Sequence, residues 1–325
     1  MEKKVIVTGI GGNVGQGVIR NIKKTGFNIK VIGTNVTSFS AGNHLCDLFY
    51  KVSYAYNRNY IDEIISIVNN ERVDLIIPTT DFEVYFLSKN IDKIPCDVAV
   101  SKIESATNYL DKFLTFQFLN KHNIPFAESY LPSKFNREFN DYILKPRKGR
   151  GSRGIKINPV NYSDFNDEEY MVQELHKGRE ITTSFYVKKD NSLHSFITLD
   201  RVLENGTTTH CKVVDDHDEK LKKILETLIE KSGIRGAANL QSIVNKKGEI
   251  FPFEINCRIS GTNSIRSNFG FEDVKYTLEE WLYKTQLSKP KIKKGIATRI
   301  LMDVIYIDET EFENAKTNKS NHFIF

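Results

Sequence analysis

Across its 325 residues the chain has no apolar stretch approaching the roughly 20 residues that a membrane-spanning helix needs. No membrane partner is expected. Paired cysteines are also missing: Cys46, Cys96, Cys211 and Cys257 stand far apart and no two form a Cys-x-x-Cys pair. That spacing argues against a disulfide framework and a thiolate zinc site, and a reducing cytoplasm is the default expectation. The start, "MEKKVIVTGIGG", is basic and briefly apolar, but the apolar part breaks at Gly9. It reads as a first strand and not as a signal peptide. A strong excess of one charge sign is missing as well. The net charge of +5 is spread along the chain with local runs such as "KPRKGRGSR" and "KPKIKKG", which suits an anionic small molecule and gives no reason to expect a nucleic acid. Hydrophobic residues at 40% and charged residues at 27% are ordinary for a globular protein, and the length allows two or three domain-sized units.

What is present begins with "VIVTGIGGNVGQG", Val5 to Gly17, followed by the amphipathic "VIRNIKKTGF". The pattern predicts strand, tight turn, helix. A second strand, "NIKVIGTN", ends near Asn35, and the buried-type strand in "RVDLIIPTTDFEV" ends at Pro78, with the helical "NRNYIDEIISIVNNE" between them. This alternation predicts a parallel sheet with helices on both faces. Gly9, Gly12 and Gly15 have the spacing of a variant dinucleotide fingerprint, but a nicotinamide site wants a carboxylate near the end of the second strand. Asn35 stands there in "GTNVTSFS". Tyr85 and Lys89 form a Tyr-x-x-x-Lys pair, too near the N-terminus for a short-chain dehydrogenase and in a predicted surface helix. The glycines are better explained as a tight strand-to-helix turn.

In "DYILKPRKGRGSRGIKI" Lys145 ends a predicted strand, and a loop rich in Gly and Arg follows. Gly149, Gly151 and Gly154 would let backbone N–H groups approach phosphate oxygens, while Arg147, Lys148, Arg150 and Arg153 add positive charge. The loop is a candidate polyphosphate clamp, although it lacks the Gly-Lys-Ser/Thr of a P-loop; the alternative is an exposed hairpin with solvated charges. Next, "YMVQEL" is a predicted strand whose "QEL" can offer backbone groups to a purine edge, and Glu180 opens the following strand, within reach of ribose hydroxyls. Either glutamate could instead be a surface residue.

The most informative segment is "GAANLQSIVNKKGEIFPFEINCRISGTNSIR". Two runs flanking "NKKGE" predict a hairpin. Strict alternation puts Pro252, Glu254, Asn256 and Arg258 on one face, with Phe251, Phe253 and Ile255 on the other. A two- or four-residue loop centred between Lys247 and Gly248 sets Gln241 opposite Glu254 and Asn239 opposite Asn256, close enough to share one hard cation such as Mg²⁺. A solvated polar face is the competing explanation. Arg266 in "SGTNSIR" is read equally as a substrate-carboxylate ligand or a structural residue.

In their order these segments resemble the ATP-grasp superfamily, most closely a single carbamoyl-phosphate-synthase-like unit. They comprise "DKFLTFQFLNKHNIPFAES", "YILKPRKGRGSRG", "VQEL" with "GRE", and "NLQ" with "FEINCRISG". The resemblance implies an α/β chain: a Rossmann-like pre-ATP-grasp domain over 1–102, then an α+β ATP-grasp domain over 103–325, its lid near 125–178 and its catalytic subdomain near 179–310. It implies that Lys112 and Lys145 contact ATP phosphates from two sides and that the 149–154 loop closes over them. Glu174 and Leu175 would lie at the adenine, Glu180 at the ribose, and Gln241, Glu254 and Asn256 would hold Mg²⁺, for which Mn²⁺ can substitute. Arg258 would face the transferred phosphoryl group. Cys257 stands where relatives often have Pro, and Gln241 where many have Glu. The implied activity is ATP-dependent ligation of a small carboxylate to an amine or ammonia through an acyl phosphate, and family habit implies a homodimer. The alternatives are a non-catalytic ATP-binding module or an NAD(P)-dependent oxidoreductase using the front turn. The tail after residue 284 is expected to add one strand near Ile300 to Ile307 and then a polar end.

Overall fold

The computed structural model describes residues 2–149 and 153–325. The front unit contains β1 (Lys3–Val7), β2 (Ile29–Asn35), β3 (Leu48–Lys51), β4 (Leu75–Ile77) and β5 (Asp97–Val98), paired in parallel in the order β3-β2-β1-β4-β5. Its strands are near-continuous apolar runs because both faces are covered. Ile6, Ile32 and Ile76 enter one core with Tyr60, Ile64 and Val68 of α2 (Tyr60–Glu71). Val5, Val7, Val31, Leu75 and Ile77 enter a second core with Val18, Ile19 and Ile22 of α1 (Asn13–Lys24). Helices therefore cover both faces, as the strand–helix alternation predicts.

The glycine turn works by close approach. Gly9 has φ +56°, and a Cβ on Gly15 would lie 2.7 Å from the Gly9 carbonyl oxygen. At Gly17 a Cβ would come within 2.3 Å of Asn263 Oδ1. Asn263 belongs to α7 (Asn263–Arg266) of the second unit; Asn21 Nδ2 donates to its backbone oxygen at 3.1 Å, and its own amide nitrogen donates to the Val14 oxygen at 3.2 Å. Gly17 is small because the two units meet there.

Helices α3 (Asp81–Lys89), α4 (Ile103–Leu110) and α5 (Lys112–Lys121) lead into the second unit, which has two antiparallel sheets. The smaller is built from β6 (Ser129–Tyr130), β7 (Tyr142–Pro146), β8 (Lys156–Ile157) and β9 (Tyr170–Glu174) in the order β6-β9-β7-β8. The larger runs β14-β13-β10-β11-β12-β15, from β10 (Arg179–Val187), β11 (Leu193–Glu204), β12 (Thr207–Val214), β13 (Gly236–Val244), β14 (Ile250–Asn256) and β15 (Ile296–Thr298). Helix α6 (Asp218–Lys231) buries Leu221, Leu225, Leu228 and Ile229, one stripe at helical spacing, and packs against β11. Those leucines share a continuous core with Phe185, Leu240 and Ile255 of the large sheet and with the front unit.

The tail departs from the expected single strand. Arg299 donates to the oxygens of Thr208 and Gly261, both at 3.0 Å, and the chain leaves the ladder there. It re-forms a separate pair from β16 (Val304–Ile305) and β17 (Phe323–Ile324). The polar end then returns to the front unit: Asn318 donates to the Cys46 oxygen at 2.8 Å and to Asp47 Oδ1 at 2.7 Å.

Candidate active site

Lys145 sits near the end of β7, 5% exposed, in register with Met171 of β9. Alternation puts Gln173 on the same side of β9 as Met171, so its Oε1 accepts from Lys145 Nζ at 2.7 Å. A second bond runs from Nζ to the Phe253 oxygen at 3.3 Å. Burial pushes the Lys145 pKa down to about 7, with Glu254 pulling it back up and Lys112 pushing it further down. An ammonium poised to lose its proton is one that an incoming anion would hold charged.

Asp111 caps α5 through the N–H groups of Phe113 and Leu114. The same carboxylate, almost fully buried, takes the guanidinium of Arg147: Nε at 3.0 Å and Nη2 at 2.8 Å. Arg147 Nη1 donates to the Asp167 oxygen at 2.7 Å. This revises the place of Arg147: it ties the base of the basic loop to α5 and does not line the cavity described below. Lys112 does line it, with Nζ 3.1 Å from the Gly149 oxygen. Gly149 and Arg153 also line it. Gly154 has φ +73° and lies beside Pro146, while Gly151 and Arg150 lie outside the described residues.

The hairpin of β13 and β14 carries the expected pairs, Asn239 with Asn256 and Gln241 with Glu254, but reaches them differently. Val244 pairs with Ile250, leaving an odd, five-residue turn with Gly248 at φ +74°. A β-bulge between the Gln241 and Ser242 pairs then restores the register. The extra residue breaks the alternation expected for β14. Phe251 pairs with Ile243, and Phe251 and Phe253 line the cavity alongside Glu254, whereas Pro252 is buried elsewhere with its oxygen accepting from Ala127 N at 2.7 Å. Ile255 remains on the core side, as does Cys257, whose thiol burial pushes up to about 12.

The polar row is hydrogen-bonded end to end. Asn256 Nδ2 donates to Glu254 Oε1 at 3.1 Å, Gln241 Nε2 donates to Asn256 Oδ1 at 3.2 Å, and Arg201 Nη2 donates to Gln241 Oε1. Arg201 also binds Glu180 Oε1 through Nε at 3.0 Å and Nη2 at 2.6 Å. Burial alone would push the Glu254 carboxyl up. Lys112, Lys145, the Asn256 hydrogen bond and Arg258 outweigh it, and the net shift is down. Arg258 Nη2 donates to Asp81 Oδ2 at 2.8 Å, which joins the hairpin to the first residue of α3. Arg266 is fully buried and paired with Asp273, so its place is structural.

A cavity of about 260 Å³ lies between the two sheets, and Asn256, Arg201 and Arg258 are not among the residues that line it. Lys112, Lys145, Gly149 and Arg153 line it together with Gln241 and Glu254; Glu174, Leu175 and Glu180 line it too. The His176 ring stacks on Phe251, centroids 3.7 Å apart and 17° between planes, making a flat apolar wall. Leu175 N–H already donates to the Asp141 oxygen at 3.0 Å.

Residues 109–262 match the model of the ATP-grasp domain, and residues 5–117 match that of the PylC-like N-terminal domain. The second unit contains an ATP-grasp domain. The ATP-grasp architecture recurs in N5-carboxyaminoimidazole synthetase from Staphylococcus aureus complexed with ADP, at TM-score 0.76 and 11% identity over 93% of this chain and 83% of that one. Carboxyaminoimidazole ribonucleotide synthase from Aspergillus clavatus, complexed with ATP, gives TM-score 0.73 and 15% identity over 91% of this chain and 81% of that one. A biotin carboxylase complex from Campylobacter jejuni gives 0.70 and 16% over 96% and 78%. At such identities the likeness is one of fold. No curated protein matches the sequence significantly.

Three residues of the cavity and its polar row carry no sequence signal of their own. Gln173 lay one position from the glutamate that drew attention, and only the pairing of β7 with β9, strands 28 residues apart at the Lys145–Gln173 contact, brings it to the lysine. Arg201 stands in "TLDRVLENG", which has no motif, and reaches the row through strand pairing alone. Phe251 falls on the apolar face opposite Glu254 by an alternation that the bulge interrupts.

Proposed function

We propose that this chain is an ATP- and Mg²⁺-dependent ligase that phosphorylates a small carboxylate and passes the acyl group to an amine or ammonia. The observation that carries the reading is the convergence of Lys112, Lys145, Gln241 and Glu254 on one cavity, with Asn256 hydrogen-bonded to both Gln241 and Glu254. Two of the structural neighbours are complexes with ADP or ATP, which supports a nucleotide here. The His176–Phe251 wall suits an adenine, with Glu174 and Leu175 at its edge, and Glu180 suits the ribose hydroxyls. Lys112, Lys145, Gly149, Gly154 and Arg153 suit the phosphates.

The donor set fits a hard cation. Glu254 is held ionised, and amide oxygens complete an all-oxygen set. Gln241 joins it once its amide turns from Arg201, which now holds its Oε1. When bound, Mg²⁺ or Mn²⁺ supplies charge neutralisation across the phosphates. The side chains do the rest. Lys145, fixed by Gln173, and Lys112 offset the repulsion between carboxylate and γ-phosphate, so that a carboxylate oxygen can attack phosphorus as the bond to ADP breaks. Arg258 faces the transferred group. The basic loop excludes water, which would otherwise hydrolyse the acyl phosphate before the amine displaces phosphate from it.

The test is ADP release with Mg²⁺ against pooled amino acids and small carboxylic acids, for wild type beside Glu254→Ala. Release that depends on one acid and vanishes in the variant is expected. ATP binding with no acid-dependent release would instead leave a non-catalytic module.

A further inference from the structure

A second, narrow cleft of about 10 Å³ opens beside the cation row, lined by Asp81, Phe82, Tyr109, Lys112, Glu254 and Asn256. It has room for about one water molecule. Asp81 Oδ2 accepts from Arg258 Nη2 at 2.8 Å, while Arg258 Nε is buried and has no hydrogen-bond partner among the described residues. A guanidinium with one buried donor unused has capacity for another anion. Just outside, Phe82 meets the Tyr56 ring edge-on at 5.9 Å, and Tyr56 stacks on Tyr54, centroids 5.2 Å apart and 5° between planes. Tyr54 is 49% exposed and Tyr56 57%, so this ladder presents a bare aromatic surface leading to the cleft.

We propose that this cleft takes the carboxylate that is phosphorylated, and that its substrates carry an aromatic or bulky apolar body lying on Tyr56 and Phe82. The proposal rests on the ligase reading above. Its logic is one of space and charge. The cleft admits only a small group beside Lys112 and Asn256, and a carboxylate, larger than one water, enters it as Asp81 gives up the Arg258 guanidinium and the cleft widens. The rest of the molecule has to remain outside, where the surface it meets is aromatic. A short, polar acid would leave the ladder in water and gain nothing from it.

Hydroxylamine can replace the unidentified amine, since its attack on an acyl phosphate yields a hydroxamate and releases phosphate. With Mg²⁺ and ATP, hydroxamate formation is compared for acetate, hexanoate and phenylacetate, in wild type, Tyr56→Ala and Phe82→Ala. A kcat/KM at least about tenfold higher for phenylacetate than for acetate is expected, with each variant raising the KM for phenylacetate toward that for acetate while the Kd for ATP reports intact folding. A series that favours acetate, or a preference for phenylacetate indifferent to both variants, overturns the proposal. Saturation-transfer NMR of phenylacetate on the ADP-loaded protein separates the two claims. Binding that weakens in Tyr56→Ala without any hydroxamate would refute the ligase and keep the cleft; no binding would refute the cleft.

Discussion

The chain has two glycine-rich turns, and their glycines are there for different reasons. In the front turn a Cβ on Gly15 or Gly17 would collide with the Gly9 backbone or with Asn263, and Gly17 is where the two units pack. In the basic loop a Cβ on Gly149 would meet, among the described residues, only Pro146 at 3.6 Å, while Lys112, Lys145 and Arg153 stand around the same cavity. The first turn is filled by protein. The second leaves space that cations surround. Spacing of glycines alone does not separate a ligand cradle from a packing device; the charge and room around them do.

The contrast is sharpest in the chemistry each region supports. Glu254→Ala at the cavity is expected to lower acid-dependent ADP release by about 100-fold or more. Gly17→Ala at the front turn should leave the rate per folded molecule unchanged; steady-state kinetics on both variants checks this. A similar division is expected within the basic loop itself. Arg147→Ala strands the buried Asp111 carboxylate and should cost about 3 kcal/mol of stability in denaturant unfolding. Arg153→Ala should leave stability near wild type and weaken ATP binding. Between the two turns, Gly17→Ala is expected to destabilise by about 1–3 kcal/mol through overpacking, and Gly149→Ala to lower ATP affinity with little change in stability. If Gly149→Ala were the destabilising variant of the pair, the comparison would collapse.

The smallest effect is in protons. The Lys145 pKa is about 7 in the folded chain against its ordinary 10.5, so the unfolded state holds more protons between these values and folding stability rises with pH across that window. The cost of burying the ammonium is fully present below pH 7 and gone above 10.5. A bound polyphosphate raises the Lys145 pKa again. ATP binding near pH 8 is therefore expected to take up a fraction of a proton, measurable by titration calorimetry in buffers of different ionisation enthalpy, and Lys145→Met should abolish the uptake.

Much of the front unit was legible because apolar runs on both faces and a glycine turn require only local reasoning. The Gln241–Glu254 and Asn239–Asn256 pairs were legible too, yet by an even turn that the chain does not have: a five-residue turn and a bulge at Phe253 compensate one another. Because a bulge leaves little trace in sequence, Phe251 was assigned to the wrong face. Gln173 and Arg201 were hidden for a different reason. Their neighbours lie on strands distant in sequence, and only the sheet order brings amide to lysine or guanidinium to carboxylate. Arg147 reads in sequence as one of several cations in a basic loop, and its ion pair with Asp111, 36 residues earlier, is visible only in the fold.

The proposed ligase requires a carboxylate oxygen to attack the γ-phosphorus of ATP. The most direct measurement uses a substrate carboxylate labelled with ¹⁸O and follows the label by mass spectrometry after turnover in unlabelled water. Transfer of one labelled oxygen into the released phosphate is the result expected of an acyl phosphate. Phosphate whose new oxygen comes only from water, with both labelled oxygens retained in the acid, would contradict it.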